Sequence, residues 1–257
     1  MMSSKAWSTR HKRGRAETSL YVLGAAALAV IGVAGYLLTE SAATPPPDLA
    51  SLPASTASAA PIPTQVAVPG PLAIVRDGTP LRVLFAGDSL TGNYFASSAE
   101  AGFRSRVATA LGPVELTTAE LADQTLTTVS RIVEVPADLD LAVVELGTND
   151  VGTQTPFDQF TSQYRDLLGK ITTTSPGAAL ICAGTWQDAG EAYDAVIEAE
   201  CLAAGGRYVP LVDIFEADGT RGPVGTATPF GESDTFHPND SGHRQIADAI
   251  LAALTVS

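Results

Sequence analysis

The sequence predicts an α/β body built on a parallel sheet with helices on both faces. Three observations carry this. Short apolar runs alternate with helix-like runs from residue 81 to the C-terminus, the apolar runs carry few polar positions, and no internal repeat is visible. A sheet with one wet face would show strict apolar–polar alternation. Runs such as Leu81–Ala86 (LRVLFA) and Leu139–Leu146 (LDLAVVEL) are apolar on both sides, as strands buried between two helical layers are.

The elements follow in order. Strands are expected at Leu81–Ala86, Val114–Thr118, Leu139–Leu146, Ala178–Ala183 and Tyr208–Ile214. Helices are expected between them at Phe103–Leu111, Leu126–Val133, Phe157–Thr173 and Glu191–Ala204, with a last amphipathic helix over Gly242–Leu254. In such sheets functional residues collect in the loops after the carboxyl ends of strands, so those loops are where chemistry is sought.

Ahead of this body the chain changes character twice. Residues 1–19 hold Lys5, Arg10, Lys12, Arg13 and Arg15 against Glu17, a net +4. Residues 20–38 (LYVLGAAALAVIGVAGYLL) carry no charge. As a helix they would span ~28 Å, close to the ~30 Å hydrocarbon core of a bilayer. A basic flank before an apolar span stays on the cytoplasmic side, so the expected arrangement is a single-pass membrane anchor with everything after residue 38 exported. A secretory signal cleaved near Ala43, in Ser41-Ala42-Ala43, is the alternative, and it exports the body equally. Residues 39–70 read as a linker, with seven Pro, eight Ala and Asp48 as the single charge between Ser41 and Gly70. Pro-rich segments favour extended backbone at ~3.1 Å per residue, which suits a tether. Residues 71–257 form the globular domain, with a net charge of −15. That acidity disfavours nucleic acid, whose phosphates need clustered Lys and Arg.

The two cysteines, Cys182 and Cys201, both fall in the exported part, where a disulfide is permitted. Cys182 ends a strand-like run and Cys201 lies in the helix-like run after it, so a bridge between them is geometrically reasonable. Two buried thiols are the alternative. No His neighbours either Cys, so a metal site is not expected there.

Three polar clusters sit at or near the ends of strand runs: Gly87-Asp88-Ser89-Leu90, Gly147-Thr148-Asn149-Asp150, and Asp234-Thr235-Phe236-His237-Pro238. Each alone is an ordinary turn or cap sequence. Together they hold the parts of nucleophilic acyl transfer. Ser89 is a candidate nucleophile, which needs a base to take its proton. His237 is the candidate base, since imidazole titrates near neutrality. Asp234, three residues earlier, is placed to orient the ring and stabilise its charged form. The Ser89 N–H and the Asn149 amide are candidate donors to a developing oxyanion.

These three clusters resemble the first, third and fifth signature blocks of the SGNH/GDSL hydrolases, in the same order, over about residues 80–255. The resemblance implies a three-layer α/β/α sandwich, flavodoxin-like with a five-stranded parallel sheet. It also implies Ser89 as nucleophile, His237 as base, Asp234 as third triad member, Asn149 as oxyanion donor, and no cofactor. One block departs. The family's second block supplies a Gly whose N–H is a third oxyanion donor, and Ala119–Thr128 (AELADQTLTT) has no Gly. Gln124 is the candidate for that position, where a side chain would narrow the pocket or alter the loop, pointing to a small acyl group or an unusual substrate.

The function expected is therefore a serine esterase acting outside the cytoplasm on an acyl ester, an envelope glycan or lipid by its location. An acyltransferase using the same residues, and a tethered binding domain with a relic triad, are the alternatives. Other polar residues have plainer expected roles. His243 reads as a helix-start surface or packing residue. Asp88 reads as a turn-fixing carboxylate, and Asp150 as an orienter of local backbone. Glu145 faces either the core edge or the site. Trp186 and Gln187 either line the cleft or pack.

Overall fold

The computed structural model describes residues 70–257. The expected cytoplasmic segment, membrane span and linker lie outside the described residues. Among residues 70–257 no helix is long and apolar enough to cross a membrane.

Strand β1 is Leu72–Ile74, and β2, Leu81–Gly87, starts the main sheet. Helix α1 (Phe103–Leu111), β3 (Val114–Glu120), α2 (Leu126–Ile132) and β4 (Leu141–Glu145) follow. Then come α3 (Thr148–Thr153), α4 (Phe157–Thr174), β5 (Ala179–Ala183), α5 (Glu191–Ala203) and β6 (Arg207–Val209). The chain ends with α6 (Val212–Glu216), a two-strand ribbon β7 (Ala227–Thr228) and β8 (Gly231–Glu232), α7 (Asp240–Ala252) and β9 (Leu254–Val256).

The main sheet is five-stranded and parallel, in the order β3-β2-β4-β5-β6. Successive side chains along each strand feed opposite layers. Val83, Phe85, Leu141, Val143 and Ile181 pack with Phe103 and Val107 of α1 and Ile246 and Ile250 of α7. Leu84, Ala86, Ala142, Val144 and Leu180 pack with Leu126 of α2, Phe160 and Leu168 of α4 and Ile197 of α5. The central strands β2, β4 and β5 are thus dry on both faces, which is why their sequences do not alternate, while the edge strand β3 leaves Glu115, Leu116 and Thr118 exposed. On the second face a disulfide joins Cys182 of β5 to Cys201 of α5, with Cα atoms 6.1 Å apart. Both residues are fully buried.

Two departures from the sequence reading have local causes. The strand expected over Tyr208–Ile214 stops at Val209. Pro210 follows and has no N–H to give a sheet ladder. The remainder forms α6, which buries Phe215 against the α1/α7 layer. The last helix begins at Asp240 rather than Gly242, because Asn239 caps it by accepting from the N–H groups of Ser241 and Gly242. It ends at Ala252, and the chain then extends to pair β9 in parallel with β1, Leu72 opposite Leu254.

Candidate active site

The site forms where β2 and β4 end. Gly87 closes β2, and a Cβ there would lie 1.9 Å from Thr91 Oγ1 and 2.7 Å from the Glu145 carbonyl oxygen. Only glycine lets the chain turn this tightly against its neighbour strand. The turn sets Ser89 just past the strand, with 5% of its surface exposed. After β4, Gly147 takes φ +132° and starts α3, which carries Asn149 and Asp150. His237 and Asp234 come from the loop before α7.

Ser89 Oγ lies 3.0 Å from His237 Nε2, and His237 Nδ1 lies 2.7 Å from Asp234 Oδ2. Asp234 Oδ1 accepts from the backbone N–H groups of Phe236 (2.9 Å) and His237 (2.7 Å). Burial pushes the Asp234 carboxyl up, but these hydrogen bonds, with that of the His237 ring, outweigh it and hold the group below the usual aspartate range. A carboxylate can only accept, so Nδ1 carries the ring hydrogen and Nε2 is left to accept from the serine hydroxyl.

The His237 ring is held by aromatic neighbours. Phe95 meets it edge-on at 4.7 Å between centroids and Phe236 at 5.4 Å. Tyr94, 6.5 Å from the imidazole, stacks on Phe230 at 4.6 Å. Phe95 has φ +59°, a left-handed backbone that a bulky side chain seldom adopts. Beyond Phe95 opens a cleft of about 300 Å³, lined also by Ser97, Pro223, Thr228, Asn239 and Ser241. Trp186 is fully buried and donates its indole N–H to the Phe236 carbonyl (2.7 Å), so it packs and pins the histidine loop. Gln187 donates to the Thr148 carbonyl at 2.8 Å.

The Asn149 amide gives one hydrogen to Asp88 Oδ2 (3.0 Å) and one to the Gln124 carbonyl (3.1 Å). The second-block loop is thus tied to the third-block asparagine even without a glycine. Among the described residues the N–H groups of Ser89 and Gln124 have no hydrogen-bond partner. Asp150 is buried and accepts from the Leu126 N–H at 2.9 Å, fixing the start of α2. His243 is not at the surface. It is fully buried, accepts from the Phe103 N–H at Nδ1 (3.2 Å) and faces the Tyr94 carbonyl through Nε2 (2.9 Å). Burial lowers it to about 4.

Sequence reasoning missed the aromatic shell of Tyr94, Phe95 and Phe230, because nothing local announces a left-handed phenylalanine. It also left open what Glu145 does. The signal there was one acid in an otherwise apolar strand, and the structure buries it completely beside Asp88.

A doubly covered parallel sheet with serine, histidine and aspartate hydrogen-bonded in series at its carboxyl edge has the parts of a serine hydrolase. The model of the GDSL-like lipase/acylhydrolase family matches residues 85–245, and the chain belongs to that family, which makes it a carboxylic ester hydrolase. Solved structures share the fold at low identity. A phospholipase A1 from Streptomyces albidoflavus NA297 is 13% identical with a TM-score of 0.56, over 68% of this chain and 100% of that one. An extracellular lipase from Streptomyces rimosus is 12% identical with a TM-score of 0.54, over 67% and 99%. A catalytic variant of an acetylxylan esterase from Geobacillus stearothermophilus is 19% identical with a TM-score of 0.51, over 68% and 94%. No curated protein matches the sequence.

Proposed function

We propose that this chain is an extracytoplasmic serine esterase that removes a small acyl group from a neutral glycan or lipid ester of the cell envelope. The Ser89–His237–Asp234 series carries the reading, at 3.0 and 2.7 Å. Ser89 Oγ attacks the ester carbonyl while His237 Nε2 takes its proton, and Asp234 stabilises the imidazolium so formed. The oxyanion meets the Ser89 and Gln124 N–H groups, and Asn149 joins by sharing one of its two hydrogens in a three-centre bond. His237 then protonates the leaving alcohol. In the second half-reaction it takes a proton from water, which attacks the acyl-serine, and the acid leaves as Ser89 is restored.

Three features support the substrate class. Gln124 puts a side chain where the family has glycine. The adjoining cleft, about 300 Å³, is walled by Phe95, Pro223, Asn239, Asp240 and several serine and threonine residues. The domain's net charge of −15 repels strongly anionic polymers. Location rests on the basic residues 1–19 and the apolar residues 20–38, which we read as an anchor. Membrane retention after alkaline extraction, with an intact N-terminus by mass, is the expected result. A mature chain beginning near Ala43 would replace the anchor by a cleaved signal.

The catalytic reading is tested by a fluorophosphonate probe on the full chain in detergent. The wild type should label and Ser89→Ala should not. Equal labelling of both removes Ser89 from its role.

A further inference from the structure

Two buried acids stand behind the proposed oxyanion donor, and the mechanism above does not use them. Asp88 and Glu145 are both fully buried, on neighbouring strand ends where Gly87 pairs with Glu145. Asp88 uses both oxygens as acceptors, Oδ1 from the Leu90 N–H (3.1 Å) and Oδ2 from the Asn149 amide (3.0 Å). Glu145 Oε2 accepts from the Thr91 hydroxyl (2.9 Å) and N–H (3.2 Å), while Glu145 Oε1 is buried with no protein donor. The two carboxyls lie close enough for the charge of Asp88 to act on Glu145. Two carboxylates only accept, so a pair buried side by side repels unless one of them keeps a proton. Glu145 Oε1, buried with no hydrogen-bond partner, is the oxygen free to carry that proton.

We propose that Glu145 keeps this proton and donates it to Asp88, and that the Asp88 carboxylate so held orients the Asn149 amide toward the oxyanion. Glu145 and Asp88 are then positioning residues that act through Asn149, an inference that rests on the esterase reading. Burial raises both carboxyls, and the charge of Asp88 raises Glu145 further, so Glu145 is the last of the pair to ionise. Asp150 and Asp123 face Asp88, and the Tyr164 phenol, itself pushed up by burial, faces Glu145. The two aspartates work against a second negative charge at the pair, and the phenol stays neutral. When alkaline pH strips the shared proton, two buried carboxylates repel and the hold on Asn149 fails.

The test compares Glu145→Gln, Glu145→Leu and Asp88→Asn. A glutamine can accept from Thr91 through its oxygen and donate to Asp88 through its nitrogen, with nothing to titrate. The wild type should show an alkaline fall in kcat; Glu145→Gln should keep kcat near wild type at neutral pH and lose that fall. Glu145→Leu removes the donor, and Asp88→Asn sets two amide nitrogens against each other. Each should lower kcat by about 100- to 1000-fold with KM little changed, the range expected for loss of an oxyanion donor. An alkaline limb in Glu145→Gln identical to the wild type overturns the proposal, as does Glu145→Leu matching Glu145→Gln. If Glu145→Leu does not fold, the pH comparison decides alone. Infrared difference spectra give a readout free of turnover. The band of a protonated carboxyl at neutral pH should be present in the wild type and missing in Glu145→Gln, and its persistence refutes the shared proton. Activity surviving Ser89→Ala would instead refute the esterase reading and leave the infrared result standing.

Discussion

His237 and Asp234 are bound to each other twice within one turn: Nδ1 to Oδ2 at 2.7 Å, and the His237 backbone N–H to Oδ1 at 2.7 Å. The carboxylate holds the ring and also the chain that presents it. Asp234→Asn should therefore both offer the wrong group to Nδ1 and loosen the loop. A kcat loss on the order of 10²- to 10⁴-fold on a short-chain aryl ester is expected, somewhat less than for Ser89→Ala or His237→Ala. Because the Asp234 carboxyl is held below its unfolded value, its contribution to stability is present above about pH 4 and fades as pH falls further. A loss of ten-fold or less in Asp234→Asn would mean that the ring does not depend on this carboxylate.

His243 gives the fold its own acid sensitivity. A base whose native value is about 4, against ~6.5 unfolded, contributes stability fully above pH 6.5 and loses it as pH falls toward 4. The size is on the order of 3 kcal/mol, at 1.36 kcal/mol per unit. Urea unfolding of the wild type should show a clear drop in midpoint between pH 7 and pH 4.5. In His243→Gln that drop should shrink, even if the variant starts from a lower stability. Parallel pH curves for the two proteins would assign the acid sensitivity elsewhere.

The Cys182–Cys201 bridge closes a loop of sequence separation 19. Loop-closure entropy for that span is worth about 3 kcal/mol. Replacing both cysteines by serine should lower the melting temperature by about 10 °C for a domain of this size. Activity at 25 °C should persist, since β5 and α5 lie away from Ser89. A melting temperature unchanged by the double substitution would show that packing alone holds α5 on the sheet.

Phe95 stands between the His237 ring and the cleft, on a left-handed backbone. Such strain persists only where the surroundings impose it. Phe95→Ala should open the cleft to His237 and favour longer acyl chains. The ratio of kcat/KM for a six-carbon over a two-carbon aryl ester should rise about ten-fold, the scale of one or two methylenes of added room. A ratio unchanged from wild type would place the acyl group on the other side of Ser89.

Much of this architecture was legible because the strands are buried on both faces. Leu81, Leu141 and Ala179 start strands within two residues of their expected positions, and Phe103–Leu111 was read to the residue. Ser89, His237 and Asp234 were legible because each follows an element end and each has a distinctive side-chain chemistry. The pairing of β1 with β9 was not, since three-residue segments have no period and their partner lies some 180 residues away. Pro210 did mark the end of β6, and the apolar run beyond it masked the signal. The closeness of Asp88 and Glu145 depends on strand register, which places Gly87 against Glu145 and which no local pattern in either strand announces.

The β1–β9 pair also decides where the domain can be handled. Arg207, at the start of β6, donates to the Gly70 carbonyl, and Ser257 exchanges backbone hydrogen bonds with Ile74 and Arg76. Both ends of the domain therefore gather at the amino edge of the sheet. Ser89 lies past its carboxyl edge, about 20 Å away for a seven-residue strand at ~3.3 Å per residue. A surface, bead or carrier joined at either end meets the blunt side of the molecule and leaves the catalytic mouth facing open solution.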